Sequence, residues 1–453
     1  MIHTYKMNGY PIVLDVNSGS IHVTDEQTYD ILNTFEEMPT LEQVLTKFGG
    51  SVDENRLTEV WQEIKELKDQ GVLYSEDIEL DLDPEKSLHT GLKAICLHVA
   101  HDCNLRCEYC FASKGDYKTG RSLMSKETAF QALDYLVKHS GTRKNIEVDF
   151  FGGEPLINFD VIKATVDYGK SLEETTGKKF FFTMTTNAFH VTEEQAEFLN
   201  DHMGNIVISL DGRKPVNDKM RKNIAGKGSY EEIVKNAKLI VDGRKGKQYF
   251  IRGTFTSFNK DFSEDVRHIR SLGFREISIE PVTGKGSPLH IKKEDLEEIL
   301  QEYERFAAEY AKDETDYRFY HFNINIYDGP CLSKRITACG AGTEYTAVSP
   351  DGKFYPCHQF VGQEEFSIGN LKEGIKNTDL QLEFAAANVY GKDACKKCWA
   401  KYFCSGGCHA NAYYTNNDIH KPDEIACILQ KKRIECANMM SAIQPVLKFF
   451  YHA

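Results

Sequence analysis

Long apolar runs are missing from this chain: no stretch of about 18 or more apolar residues occurs, which excludes a helical membrane span. The start, MIHTYKMNGYPIVLD, lacks a basic region followed by an apolar one, so no secretion signal is expected there. Both absences point to a soluble, cytoplasmic protein with no membrane partner. Basic residues are in deficit, with 55 Lys and Arg against 68 Asp and Glu and a formal net charge of −13. Nucleic-acid affinity comes from cationic side chains that displace counterions, so no nucleic acid is expected and peptide or small-molecule partners are favoured. There is no repeat of fixed period and no low-complexity tract. Apolar residues make up 41% and aromatic residues 11%, ample for buried cores, and 453 residues suggest roughly two to four domains.

Residues 1–80 read as a small domain of their own. Alternation in Tyr10–Asp15 and Ser20–Val23 around the turn Asn17-Ser18-Gly19 predicts a hairpin. Asp25, Thr40 and Asp53 are placed to cap helices that run to Phe35, Phe48 and Lys68. Gln70-Gly71 stops the last helix, and Val72–Tyr74 reads as a returning strand. Strands around three short helices is a winged-helix pattern. Winged helices usually bind DNA, but this one holds five Lys and Arg against sixteen Asp and Glu, a net of −11, which DNA would repel. A basic or amphipathic peptide docked along an exposed strand edge is the expected ligand, with the acidic stretch Glu76 to Glu85 as the linker.

From 93 to 312, strand-like runs alternate with helical ones. Strands are expected at Ala94–Ala100, Ile146–Phe151, Phe180–Thr186, Ile206–Leu210, Tyr249–Thr256 and Glu276–Glu280. Helices are expected at Ser125–His139, Asp160–Thr175, Thr192–Asn200, Ser229–Val241, Asp261–Ser271 and Lys292–Ala311. Six βα units with right-handed crossovers make a parallel sheet, and hence an α/β fold with a partial (β/α)6 barrel. Residues 313–453 are loop-rich and are expected to fold around metal.

The thirteen cysteines are odd in number and clustered, which fits a reducing compartment with metal sites better than a disulfide framework. One set is Cys103, Cys107 and Cys110. The other is Cys339, Cys357, Cys395, Cys398, Cys404, Cys408 and Cys427. Thiolates are soft, anionic iron ligands, and three of them leave a cubane cluster one ligand short. A zinc site at the first set would need a fourth ligand nearby; at Cys395 to Cys408 zinc is a live alternative. Cys96 and Cys436 read as buried reduced thiols, and Lys431-Lys432-Arg433 as a solvated helix face.

Cys103-Asn-Leu-Arg-Cys107-Glu-Tyr-Cys110-Phe, on the loop after the first barrel strand, resembles the signature of radical S-adenosylmethionine enzymes. The resemblance implies a [4Fe–4S] cluster on Cys103, Cys107 and Cys110, with the amino and carboxylate groups of S-adenosylmethionine on the fourth iron and a 5′-deoxyadenosyl radical as the product of its cleavage. It also implies cofactor contacts. Gly152-Gly153-Glu154-Pro155 would receive the ammonium, Thr185 and Ser209 would lie near the ribose, Arg252 would pair with the carboxylate, and Tyr109 would lie near adenine through its backbone. For Thr185, Ser209 and Arg252, packing or surface roles are equally open.

The distal cysteines resemble the SPASM domain of peptide-modifying radical enzymes. By that resemblance Cys395, Cys398, Cys404 and Cys427 hold one auxiliary [4Fe–4S] cluster and Cys339, Cys357 and Cys408 another, for three clusters in all. The open position on the latter could take Cys331 or a substrate thiolate. Related sulfatase maturases carry an aspartate base where this chain has His358, which argues against alcohol or thiol oxidation and leaves His358 as a candidate base. The layout is similar to the SCIFF peptide maturases, which implies a ribosomally made precursor peptide with a leader, a thioether product, and an electron donor such as flavodoxin or ferredoxin. A carbon–carbon crosslink or dehydrogenation, and a zinc-bearing interaction protein, are the alternatives.

Overall fold

The computed structural model describes residues 1–77, 83–88, 90–313, 316–324 and 336–451, with side chains through 443. The amino-terminal unit is an antiparallel meander of β1 (Ile2–Met7), β2 (Tyr10–Asp15) and β3 (Ile21–Val23), followed by α1 (Glu26–Thr34), α2 (Leu41–Phe48) and α3 (Glu54–Asp69). The three expected caps are made: Asp25 accepts from Thr28 N at 2.7 Å, Thr40 and Gln43 form a reciprocal capping box, and Asp53 accepts from Asn55 N at 3.0 Å. Val13, Ile31, Val44, Leu57, Val60 and Ile64 close a core of their own. Two expectations are corrected. Ile2–Met7 adds a strand before the hairpin, and Val72–Tyr74 forms bends rather than a strand, so the strands precede the helices instead of enclosing them.

Six parallel strands follow: β4 (Ala94–His101), β5 (Asn145–Gly152), β6 (Lys179–Thr186), β7 (Asn205–Ser209), β8 (Gln248–Phe255) and β9 (Glu276–Pro281), adjacent in that order. Helices Lys126–His139, Phe159–Thr176, Glu193–His202, Tyr230–Asp242 and Phe262–Ser271 lie between successive strands, and Leu296–Tyr310 follows the last. Alternation along the strands sends Ile95, Leu97, Val148, Phe150, Met184, Ile206, Ile208 and Ile251 into the helix-packed core, all 1% exposed or less. Each such burial is worth about 1.5–3 kcal/mol. The opposite face, carrying Cys96, His98, Asp149, Thr185, Ser209, Arg252 and Glu280, lines the barrel interior.

The carboxy-terminal region begins by extending this sheet. β10 (Tyr345–Val348) pairs in parallel with β4, and β11 (Lys353–Tyr355) turns back antiparallel. Its apolar residues Val348, Phe354 and Phe360 join the barrel core. The last helix, Glu424–Tyr451, packs against Leu296–Tyr310.

Candidate metal centres

The loop after β4 carries Cys103, Cys107 and Cys110, all half-buried. It is held along its length by a second segment: Arg106 N donates to Lys222 O at 2.7 Å, Glu108 N to Met220 O at 2.9 Å, and Leu105 bridges Asn223. The Arg106 guanidinium folds back onto Cys103 O at 2.6 Å and Leu105 O at 2.7 Å. Leu105 N and Asn187 Nδ2 point at the Cys103 sulfur, at 3.4 and 3.6 Å. Burial pushes the Cys103 thiol up to about 12 and the Cys107 thiol up to about 11, the latter opposed by Arg221. Metal binding would displace those protons. Among the described residues no group of three or more His, Cys, Asp or Glu side chains is disposed to hold one metal ion.

Gly152 and Gly153 bring the end of β5 against this loop. Gly153 N donates to Ala100 O at 2.8 Å and Glu154 N to Asp102 O at 2.9 Å. A Cβ at Gly152, where φ is +137°, would stand 2.3 Å from Ala100 O, and one at Gly153 would stand 2.2 Å from Asp102 O. Only glycine permits this approach. Glu154, 2% exposed, accepts from Leu156 N at 3.1 Å and Thr186 Oγ1 at 2.8 Å on Oε1, and from Asn187 N at 2.7 Å on Oε2. Burial raises its pKa and these bonds oppose the rise. Oε2 keeps acceptor capacity, and a cleft of about 470 Å³ lined by Asn104, Glu154, Ile157, His190, Gln195 and Lys235 opens beside it.

Tyr109 turns inward. Its hydroxyl donates to Asp211 Oδ2 at 2.7 Å and accepts from Arg221 Nη1 at 2.7 Å, and Asp211 also accepts from Thr254 N at 3.0 Å. The side chain therefore ties the cysteine loop to the ends of β7 and β8. Ser209 and Arg252 are ladder partners on the interior face, with Ser278 next in the row, and Thr185 faces the same way one strand earlier.

The distal thiols fall into two groups. Gln359 bridges Cys357 and Cys408, donating from N to Cys357 Sγ at 3.3 Å and from Nε2 to Cys408 Sγ at 3.9 Å. After burial, the Cys408 and Cys339 thiols are what raise Cys357. In the other group burial, then Cys404, Cys395 and Cys398, push Cys427 up to about 12. Cys331 lies outside the described residues, as does part of the expected 76–85 linker, whose Asp77 is ion-paired to Lys401 at 2.7 Å. Ser405, Gly406 and Gly407 take positive φ between Cys404 and Cys408, turning the chain from one thiol group to the other. His358 stands 3.5 Å from Tyr345 Oη, with ring centroids 4.7 Å from Phe151 and 5.9 Å from Phe111, the residue after Cys110. It thus lies between the distal Cys357 and the proximal loop. Burial, then Arg252, lowers its pKa to about 4, which keeps the imidazole neutral near pH 7.

A Radical SAM superfamily model matches residues 97–269, and an iron–sulfur cluster-binding SPASM model matches 339–399. The chain carries a radical SAM domain and a SPASM domain. It is 24% identical over 452 residues to the radical SAM cyclopropyl synthase TigE of Paramaledivibacter caminithermalis, covering 94% of this chain and 91% of that one. It is 28% identical over 343 residues to the subtilosin biosynthesis protein AlbA of Bacillus subtilis, covering 70% and 68%. Among solved structures, anSMEcpe with bound AdoMet superposes with a TM-score of 0.66 at 18% identity over 79% of this chain and 100% of that one. Streptococcus suis SuiB bound to S-adenosylmethionine gives 0.53 at 16% identity over 94% and 98%. These likenesses carry the fold. The two domains imply S-adenosylmethionine and [4Fe–4S] clusters.

Several residues around the radical SAM barrel gave no signal in the sequence. Asn187, Asp211 and Arg221 meet the cysteine loop only through tertiary folding. Lys392, fully buried, donates to Gly406 O at 2.9 Å, and the thiols of both distal groups act on it. Arg433 reverses an expectation: it is buried rather than solvated, donating to Glu280 Oε2 at 3.1 Å and Tyr303 Oη at 3.1 Å, while Lys432 pairs with Glu304 at 2.7 Å. Charge runs on a long helix read as solvated until the facing helix supplies carboxylates. Cys96 and Cys436 are buried, as expected.

Proposed function

We propose that this radical SAM/SPASM protein is a peptide maturase that joins a cysteine sulfur to an α-carbon in a ribosomally made, cysteine-rich precursor, forming a thioether. The observation that supports the reading is that Gln359 bridges Cys357 and Cys408 while His358, next to Cys357, stands against Phe111, next to Cys110. When bound, S-adenosylmethionine and three [4Fe–4S] clusters would supply a 5′-deoxyadenosyl radical and an acceptor for the electron released as sulfur joins carbon. Cys103, Cys107 and Cys110 would hold the first cluster; Cys395, Cys398, Cys404 and Cys427 the second; Cys339, Cys357 and Cys408 the third.

Glu154 would receive the ammonium of S-adenosylmethionine, Arg252 would pair with its carboxylate, and Thr185 and Ser209 would lie near the ribose. His358, neutral through burial, takes the proton that the substrate thiol loses. The barrel interior keeps water and stray C–H groups from the carbon radical. The acidic amino-terminal domain seizes a leader by adding it as a strand beside β3, one of the two edge strands of its sheet. A carrier such as flavodoxin or ferredoxin provides the electron.

The relatives named for subtilosin and mycofactocin maturation, and the structural neighbour SuiB bound to its precursor peptide SuiA, support a peptide substrate. The near full-length match to a cyclopropyl synthase favours a second reading, carbon–carbon bond formation. Anaerobic incubation of the iron-loaded protein with dithionite, S-adenosylmethionine and the product of a short cysteine-rich reading frame beside the gene separates them. A thioether removes two hydrogens and one alkylatable thiol. A peptide that loses two hydrogens yet alkylates at every cysteine assigns the second reading.

A further inference from the structure

The segment that pairs with the cysteine loop at Leu105, Arg106 and Glu108 is also a basic island in an acidic chain. Residues 213–228 hold six Lys and Arg against one Asp, while the chain as a whole stands at −13. This segment runs along the loop, with Met220 and Lys222 accepting from Glu108 N and Arg106 N, and Asn223 bridging Leu105. It then turns in a hairpin closed by Asn223 N to Lys227 O at 2.8 Å. At the tip Ile224 is 65% exposed, the most exposed large apolar side chain among the described residues. Lys219 and Lys227 on this segment, and Lys114 beside Arg106, are exposed and have no carboxylate partner among the described residues. The acids within reach are already engaged: Glu108 by Lys222 at 2.9 Å and Asp218 by Lys214 at 2.9 Å.

Lys219 lies over the exposed Phe258 ring at 3.8 Å, and an exposed apolar anchor on a segment rich in cations that lack carboxylate partners is the form of a docking site for a protein of opposite charge. Its backbone bonds lead directly to Leu105, Arg106 and Glu108, between Cys103 and Cys110, so a partner seated here lies nearer those thiols than one on the acidic amino-terminal domain. We infer that the 219–228 hairpin is the docking site for a small acidic one-electron carrier protein, an inference that rests on the radical SAM reading above. One electron would pass from the carrier's anionic flavin hydroquinone, which becomes the neutral semiquinone without losing a proton, to the oxidised cluster that Cys103, Cys107 and Cys110 would hold. The carrier is oxidised and the centre reduced.

The test compares iron-loaded wild type with Ile224→Glu and Lys227→Glu, singly and together, using either dithionite or a purified flavodoxin kept reduced by its reductase and NADPH. Formation of 5′-deoxyadenosine is followed in both arms, and flavodoxin binding is measured by FMN fluorescence anisotropy at rising salt. The expected result is dithionite-driven formation unchanged, a flavodoxin KM raised by roughly tenfold in the double variant, and wild-type binding that weakens with salt and is weakened in the variants at low salt. Unchanged flavodoxin KM and binding overturn the inference. Equal loss in the dithionite arm also overturns it, because the hairpin then serves the site or the substrate instead. No 5′-deoxyadenosine from wild type with dithionite removes the radical SAM reading itself, and the docking inference falls with it.

Discussion

The proximal and distal cysteine sites are built by opposite means. Cys103, Cys107 and Cys110 lie within eight consecutive residues, and regular strands position them: β5 closes on the loop through Gly152 and Gly153, and Tyr109 fastens it to Asp211 and Arg221. The distal thiols come from 339 to 427 and meet through irregular turns, with Gln359 and Lys392 between them. The first site is a scaffold that would stand without its metal, and the second is one that metal would complete.

The sharpest way to break this comparison is to remove one thiol from each site. Cys107→Ala should abolish 5′-deoxyadenosine formation, whereas Cys408→Ala should retain it and lose the modified peptide, as read by chromatography and mass spectrometry of one reaction. If the two variants behave alike, the division of labour is wrong. Next in size is Gly153→Ala, whose added carbon meets Asp102 O at 2.2 Å. Displacing the loop against Glu154 should lower S-adenosylmethionine cleavage by roughly 10²-fold, while iron bound at the distal site, counted against Cys107→Ala, stays unchanged.

A smaller effect concerns protons. His98 and His101, beneath the proximal loop, are held neutral by burial, His101 at about 4, and the distal His409 likewise at about 4. A folded pKa below the unfolded value of about 6.5 means that the unfolded chain takes up protons the folded one refuses. Stability should therefore rise from about pH 4 to about pH 6.5 by at most about 1.4 kcal/mol per pH unit for each such histidine. Thermal melts across this range should show that slope, and His101→Gln should flatten it. The smallest effect is expected for Lys392→Met: loss of a buried cation between the distal thiol groups should lower the reduction potentials there and leave the proximal one in place, measured by EPR-monitored titration.

The barrel was readable because each β4–β9 strand is an apolar run next to an amphipathic helix, and parallel sheets with helices on them demand that pattern. The proximal thiols were readable because they are close in sequence. Less visible was anything that depends on distant partners. β1 carries His3, Thr4 and Lys6 and shows little alternation, yet it pairs with β2 from Ile2 to Met7. Val72–Tyr74 has strand composition, but Leu73 is spent on the helical core and Tyr74 on a bond to Phe35 O. Arg433 and Arg221 look like ordinary surface cations until Glu280 and Asp211 arrive from other elements.

The small amino-terminal sheet is anchored to the turn that bears two of the distal thiols. His3 stacks on Trp399 at 3.7 Å and 6°, and Leu14 and Ile21 pack with Tyr402, Trp399 and Phe403, while Asp77, beyond the sheet, holds both Lys401 and Tyr402. Residues 399–402 lie between Cys398 and Cys404. Tilting that sheet therefore drags on two sulfurs, and grafting a foreign recognition module in its place would strip the brace from a redox centre.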